Sequence, residues 1–559
     1  MYSRCLKRFS PRVIRPLFVR PALGLRAVRA YSSGQSSDRS PGVWHYVLIG
    51  AIAGVTYGFI DKTLLAYFPS HDASIPSHAP VDPKPYASPE ECTQAIDELR
   101  AALGAAKVLT NPTLLKMYGH SDNSYHPTSP HAVVVKPAST EDVVKIVNVA
   151  RRWRMPITAY SGATSLEGHF SGFPTGSICV DMSGMNRILA IHEEDGDVVC
   201  QAGARWEDIN AHLAEKGIPL FFPLDPGPGA TIGGMVGTGC SGTNAVRYGT
   251  ARAEWFLNLT VVLPSGEVIT TKRRARKSAT GFDTTKLFIG AEGTLGIVTE
   301  ATLRLTPVVP TKVAMAQFPN PERAVSAVQE ILLSPYGANV QCVEFLDDKM
   351  MDAINGSAMT SSPLPVSDSL FFKLQGSPEA IALTASTVSA ITKAHGASRF
   401  AFAATDQEAD ELWQNRKYAL MATVASKPGY RPWTTDVCVP PSKLPQLVHE
   451  TKKDLADAGI PATIVGHVGD GNFHAIMLFR DDTELPNIDA ASHRLVERAL
   501  ALDGTCTGEH GIGIGKKKYL IDELGVETVA LMWTVKRSVD PLNIMNPGKL
   551  YPDLPKERK

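Results

Sequence analysis

The stretch Ile157-Thr158-Ala159-Tyr160-Ser161-Gly162-Ala163-Thr164-Ser165-Leu166-Glu167-Gly168 reads as a short strand that runs straight into a loop of small residues. Such a loop exposes several backbone N–H groups on one side, and a group of that kind can cradle a diphosphate. Two more small-residue stretches follow. The first is Pro223-Leu224-Asp225-Pro226-Gly227-Pro228-Gly229-Ala230-Thr231-Ile232-Gly233-Gly234, continuing to Gly237, Gly239, Gly242, Thr243 and Asn244. The second is Gly290-Ala291-Glu292-Gly293-Thr294-Leu295-Gly296-Ile297-Val298. Any one of them alone would be a set of tight turns. Gly237 to Gly242 has the spacing GxGxxG, but no strand precedes it and no acid follows at the ribose distance of about 20 residues. The chain also lacks GxxxxGK[ST]. Neither common nucleotide fingerprint accounts for these glycines.

Around these loops strands and helices alternate. Ala132–Val135 reads as a strand, and Ser139-Thr140-Glu141-Asp142 is a capping-box-like start for a helix reaching Trp153. The alternation continues through Val198–Gln201, a helix near Trp206–Lys216, and Val261–Leu263. Residues 311–530 change character, with longer helical stretches and an antiparallel pattern.

That second region carries Gly466-His467-Val468-Gly469-Asp470-Gly471-Asn472-Phe473-His474, and further on Gly508-Glu509-His510-Gly511. Three N/O ligands with an open position make a catalytic metal site, whereas closed structural zinc sites more often use four ligands with Cys. No Cys sits in either motif. The apolar runs Ala462–Val465 and Phe473–Phe479 flank a Gly/Asp/Asn cluster, which predicts a hairpin. His467 would end one strand and His474 would lie just inside the next, so both can face one ion together with Glu509. A mixed imidazole–carboxylate set suits Zn²⁺ or Mn²⁺.

On these motifs the chain resembles the FAD-dependent D-2-hydroxyacid dehydrogenases of the vanillyl-alcohol oxidase superfamily, over roughly residues 110–555. The resemblance implies an α+β fold. A two-subdomain, PCMH-type FAD-binding domain would span 106–307, an α+β cap domain for substrate and metal 308–530, and a C-terminal return to the flavin 531–559. FAD would then lie against Ser161, Gly162, Ala163, Thr164 and Ser165, against Pro223, Asp225, Pro226, Gly227, Gly233, Gly234, Gly237, Gly242, Thr243 and Asn244, and against Glu292, Gly293, Gly296, Ile297 and Val298. In the tail, Asn546 of Asn543-Ile544-Met545-Asn546-Pro547-Gly548-Lys549 would approach it too.

The resemblance also implies the chemistry: D-lactate is oxidised to pyruvate, FAD takes the hydride, and cytochrome c takes the electrons. His467, His474 and Glu509 would hold the metal, and His510 would be the general base, since imidazole titrates near working pH. Arg416, in Leu412-Trp413-Gln414-Asn415-Arg416-Lys417, matches the family's carboxylate-gripping arginine; without that match it would read as a surface helix residue. Lys427 and Arg431 are further basic candidates. Asp470 reads as a turn former or as the partner of a ligand imidazole. Thr435–Pro440 resembles a segment lying against the flavin. D-2-Hydroxyglutarate and glycolate enzymes share these motifs, and a dicarboxylate substrate would need a second cation. A non-catalytic FAD-binding subunit would not need His467, His474, Glu509, His510 and Arg416. An ether-lipid synthase of the same superfamily would use flavin without net oxidation.

The N-terminus reads differently. Residues 1–40 hold nine Lys/Arg and one acid, Asp38, the composition of a mitochondrial transit peptide, with a cleavage-like Arg29-Ala30-Tyr31-Ser32 that sets its end at 31. Residues 41–60, PGVWHYVLIGAIAGVTYGFI, contain no Asp, Glu, Lys or Arg and are long enough to span a bilayer as a helix of about 30 Å. We expect a single inner-membrane anchor with the basic flank in the matrix and the catalytic part in the intermembrane space. Residues 61–105 read as a linker and an entry helix. The whole chain balances 56 Lys/Arg against 56 Asp/Glu; without 1–40 it carries 47 against 55. That acidic balance argues against nucleic acid and suits a basic protein partner. Eight scattered Cys form no CxxC, no Fe–S pattern and no haem-attachment motif.

Overall fold

The computed structural model describes residues 85–553 apart from 122, 128 and 358–362. The transit peptide, the anchor and the linker up to residue 84 lie outside the described residues. Among the described residues no helix is long and apolar enough to cross a membrane. The expected entry helix is Pro89–Leu103, closed at its start by a capping box between Ser88 and Glu91.

The first sheet contains β1 (Val108–Leu109), β2 (Val133–Val135), β3 (Ile157–Tyr160) and β4 (Ile178–Asp181), in the order β1-β2-β4-β3. β2, β4 and β3 run parallel. Ser139 caps the connecting helix Thr140–Trp153 by accepting the Asp142 N–H. That helix buries Val143, Ile146, Val147 and Ala150, an i, i+3, i+4, i+7 stripe, against the sheet. β3 ends at Tyr160, so the loop from Ser161 leaves at the carboxyl edge of a parallel sheet, where such folds keep their ligands.

The second sheet is antiparallel and does not continue the alternation read from the sequence. Its strands are β5 (Ile188–His192), β6 (Asp197–Gln201), β8 (Phe256–Val262), β9 (Val268–Thr270) and β10 (Ile297–Arg304), ordered β5-β6-β10-β8-β9. A small ribbon joins β7 (Leu220–Phe221) to β11 (Thr306–Pro307). Helix Trp206–Glu215 sits where one was expected, but hairpins rather than crossovers join β5 to β6 and β8 to β9. The GxGxxG-like glycines end a short helix, Ile232–Thr238, instead of opening one after a strand.

The third sheet is wholly antiparallel. It runs β15 (Arg399–Phe402), β12 (Thr311–Phe318), β14 (Asp368–Gln375), β13 (Val340–Leu346), β18 (Ala462–Gly466), β19 (Asn472–Phe479), β16 (Arg431–Thr434), with β17 (Val437–Cys438) also on β19. Its inner strands β13, β14 and β19 are buried almost throughout because both faces are covered. Alternate residues part company: Ala314 and Ala316 join one core with helices Pro321–Leu333 and Leu444–Asp457. Val313 and Met315 join the other with Leu412 and Ala422, from helices Asp406–Lys417 and Ala419–Ser426. Val465 and Ile476 lie on this second face. The predicted hairpin is β18–β19, with Val465 opposite His474.

The C-terminal segment returns to β3. Ile157 donates its N–H to the Ile544 carbonyl at 2.7 Å, and Asn546 donates back to the Ile157 carbonyl at 2.7 Å. Lys536, fully buried, fastens the turn by donating to Asp540 and to the carbonyls of Thr294 and Met545.

Candidate active site where two cofactor loops meet a histidine and carboxylate cluster

One cavity of about 590 Å³ runs between the loops of the first two sheets and the inner face of the third. That volume is of cofactor size. Of the residues expected at FAD, all but Pro223 and Asn244 line it. Those two lie behind the wall instead. The Pro223 carbonyl accepts from Asn244 Nδ2, and Asn244 Oδ1 accepts from Gln341 and Cys342 of β13. Asp225 lines the cavity while accepting from Thr243 Oγ1 and the Asn244 N–H, and burial pushes its carboxyl up to about 6.

The fit of a dinucleotide can be judged from the backbone. Among the described residues, no N–H from Gly162 to Leu166 donates to a carbonyl or a side chain. These groups lie in a loop at the cavity wall, with Gly162, Ala163, Ser165 and Leu166 part-buried and Thr164 exposed. A bound diphosphate is the ligand chemistry that satisfies such a row. Asn546, at φ +42°, ties two of the loops together by donating to the carbonyls of His169 and Glu292. His169 also lines the cavity; its Nε2 lies 3.3 Å from Glu292 Oε1, and its Nδ1 is buried without a hydrogen-bond partner.

The two His/Glu motifs converge on the same cavity. His467 Nε2 lies 3.0 Å and His474 Nε2 3.2 Å from the same oxygen of Glu509. Each opposite ring nitrogen is already engaged: His467 Nδ1 with Glu344 at 2.9 Å, His474 Nδ1 with the Thr435 carbonyl at 3.1 Å. An Nδ1–H held in this way leaves Nε2 as the lone-pair atom, the usual preparation of an imidazole for a metal. The three donor atoms lie within 4.8 Å of one another, and the donor set fits one divalent ion. Burial alone would lower His467, but the carboxylates of Glu344 and Glu509 hold it well above its ordinary value. Burial opposes ionisation of Glu509 too, and the two imidazoles hold it well below.

His510 stacks on His474, ring centroids 4.7 Å apart and 10° from parallel, and its Nδ1 is buried without a partner. Burial, aided by His474 and Lys516 and opposed by Asp436, pushes it down to about 4. It is therefore a neutral proton acceptor across the physiological range. Arg416 is buried at the cavity wall rather than on a helix surface, and its guanidinium is already engaged. Nε and Nη2 both contact Glu344 Oε2, at 2.7 and 2.5 Å.

Lys427 and Arg431 do not line the cavity: Lys427 lies over the Tyr430 ring, and Arg431 pairs with Asp482 at the surface. Asp470 is a turn former, its N–H donating to the His467 carbonyl at 3.0 Å; Glu344, not Asp470, takes the ligand imidazole. Thr435–Pro440, expected against the flavin, does not line the cavity; the segment acts through Asp436 instead. Asp436 accepts the N–H groups of Glu509 and His510, the Thr507 hydroxyl and the Asn472 amide, so it sets the backbone that presents Glu509. Glu344 and Asp436 escaped the sequence reading, although an acid in the apolar run Val340–Leu346 is a signal, since buried charge needs a partner.

Comparison with known proteins bears on this arrangement. Residues 130–272 match the FAD binding domain family, and 310–550 match the family described as FAD linked oxidases, C-terminal domain. The chain is 45% identical to the mitochondrial D-lactate dehydrogenase [cytochrome] of Arabidopsis thaliana, over 78% of this chain and 76% of that one. It is 40% identical to D-lactate dehydrogenase [cytochrome] 1 of Saccharomyces cerevisiae, over 84% and 81%. The solved 4-ethylphenol oxidase of Gulosibacter chungangensis shares the fold, with a TM-score of 0.71 at 19% identity, covering 84% of this chain and 98% of that one.

Proposed function

The chain belongs to the FAD-linked oxidase family that includes the mitochondrial D-lactate dehydrogenases (cytochrome), and we propose that it oxidises D-lactate to pyruvate and passes the electrons to a cytochrome. The observation that carries this reading is the meeting, in one cavity, of a diphosphate-type loop with His467, His474, Glu509, His510 and Arg416. When bound, FAD accepts the C2 hydride and a divalent ion lowers the pKa of the 2-hydroxyl. The chain's own residues do the rest. His467, His474 and Glu509 hold the ion. Arg416, anchored by Glu344, offers its remaining N–H edge to the carboxylate. His510 takes the hydroxyl proton at Nδ1. Val465 and Ile476 wall the same space and keep water out.

The cavity also supports a monocarboxylate. Among the described residues its only lysine or arginine besides Arg416 is Lys417, which Glu207 holds at 2.7 Å. No second cation is left for a distal carboxylate. The deciding experiment mixes the oxidised protein with D-lactate, L-lactate, D-2-hydroxyglutarate and glycolate and follows flavin absorbance. D-Lactate should bleach it fastest, and faster bleaching by hydroxyglutarate would overturn the substrate assignment.

FAD is held without a covalent bond, because loop 161–168 contains neither His nor Cys. His169 stands close enough to the cavity to make this a real test. Acid precipitation should release all the yellow colour; flavin fluorescence in a denatured gel band would refute it.

Residues 1–31 direct the protein to mitochondria, and 41–60 anchor it in the inner membrane with the catalytic part in the intermembrane space. The acid-poor leader and the charge-free apolar run support this reading. The acceptor there is a basic cytochrome c, which suits a chain with 47 bases against 55 acids beyond residue 40. Attraction of this kind raises the encounter rate and is screened over about 8 Å at physiological salt. Turnover with cytochrome c should therefore fall as KCl rises to about 0.3 M, while turnover with a small neutral dye barely changes. Parallel salt responses would count against electrostatic docking. Survival of the catalytic part under protease after the outer membrane is opened would move it to the matrix.

A further inference from the structure

His510-Gly511-Ile512-Gly513-Ile514-Gly515-Lys516, the segment that leaves the metal cluster, threads between the two cofactor loops. On one side stands Glu292. Its two carboxylate oxygens take one N–H each, from Ile512 at 2.6 Å and Gly513 at 2.9 Å. On the other side stands Glu167. Its carbonyl accepts from the Ile514 N–H at 2.7 Å, and its carboxylate lies 3.2 Å from Lys516 Nζ. Lys516 reaches on to Asp436 at 3.6 Å, the acid that holds the N–H groups of Glu509 and His510. The fit is tight enough to demand glycine. A Cβ on Gly513 would lie 2.0 Å from the Glu167 carbonyl oxygen, and one on Gly515 would lie 2.2 Å from its carboxylate.

Glu167 and Glu292 belong to the loops that form the cofactor wall. Glu292 lines the cavity, sits at φ +54°, and has its carbonyl held by Asn546. The same loops therefore fix two things: the cradle for the dinucleotide, and the backbone that presents Glu509 to His467 and His474.

We propose that Glu292 and Glu167 are positioning residues that couple the two cofactor sites, so that FAD and the divalent metal each bind more tightly when the other is present. The inference rests on the reading of His467, His474 and Glu509 as metal ligands. Coupling between two binding sites is reciprocal: whatever factor FAD adds to metal affinity, the metal adds to FAD affinity. Glu292→Gln keeps the length of the side chain but turns an NH₂ toward one of the two N–H groups. Glu167→Gln removes the charge that holds Lys516.

The test titrates Mn²⁺ by calorimetry, and FAD by fluorescence, into the full chain stripped of both. Each titration is run with and without a saturating amount of the other cofactor. The wild type should show the same factor in both directions, about tenfold or more. In Glu292→Gln and in Glu167→Gln that factor should fall to about threefold or less. Because the readout is a ratio, a direct loss of affinity for either cofactor cancels out. If Glu292→Gln does not fold, Glu167→Gln decides the matter. A wild-type ratio of one, or a ratio unchanged in the variants that fold, overturns the coupling and leaves the metal site standing. Mn²⁺ binding equally well to His467→Ala, or not at all to the wild type, removes the metal reading and the coupling with it.

Discussion

Dialysis of the protein against EDTA should abolish turnover with D-lactate while the flavin stays bound. The proposed metal ligands His467, His474 and Glu509 and the loop 162–166 come from separate segments of one cavity wall, so the two cofactors need not leave together. A Lewis acid on the hydroxyl is worth several kcal/mol; about 4 kcal/mol is about a thousandfold in rate. His467→Ala and His474→Ala should each reproduce that loss, because their Nε2 atoms meet at one carboxylate oxygen. Both variants should fold. Removing His467 leaves Glu344 still paired with Arg416, and removing His474 frees the Thr435 carbonyl but leaves Asp436 with the N–H groups of Glu509 and His510 and Glu509 with His467. Re-added Mn²⁺ or Zn²⁺ should restore the dialysed wild type and neither variant. Full activity in a preparation shown to be metal-free would end the metal hypothesis, whatever the variants did.

The parts of this site that were legible in the sequence are those with local signatures. A loop of small residues after Ile157–Tyr160, and a Gly/Asp/Asn turn between two apolar runs, announce themselves because turn chemistry is short-range. The hairpin β18–β19 follows directly, and with it the approach of His467 to His474. Glu344 was hidden because its meaning is wholly non-local. It lies 72 residues from Arg416 and 123 from His467, and only the pairing of β13 with β18 brings it between them. Asp436 was hidden for the same reason, its partners being N–H groups 73 and 74 residues away. The second sheet misled because a βα pattern was read onward from the first, while hairpin strands as short as β9 (Val268–Thr270) leave little periodic trace. Lys427 and Arg431 attracted notice through charge alone, and side-chain direction is what charge cannot give. Lys536 and Asp540 are an i, i+4 pair that would pass for a surface bridge; burial by the returning tail makes them a clasp.

Arg416→Lys is expected to raise KM and lower kcat together. Two guanidinium nitrogens contact Glu344, and the substrate carboxylate needs others. A lysine has one ammonium to divide between them. Loss of a charged hydrogen bond, at about 1.5–3 kcal/mol, is about 10- to 150-fold in kcat/KM. Glu344→Ala should be worse, and in two separable ways. It leaves the guanidinium buried without its counter-ion, a loss of about 3–5 kcal/mol in stability. It also releases His467 Nδ1, and loss of such a partner costs about 10- to 100-fold in metal affinity. Glu344→Gln separates the two effects, because an amide oxygen can still accept from His467 or Arg416 while the charge is gone. Melting temperature reports the first effect and Mn²⁺ titration the second. If Arg416→Lys melts lower but turns over normally, Arg416 serves only as the counter-ion of Glu344, and the carboxylate must be gripped elsewhere. If Arg416→Lys loses kcat/KM at an unchanged melting temperature, the guanidinium is acting on the substrate. Glu344 is then the fixed point from which both the carboxylate grip and the metal ligand are aimed.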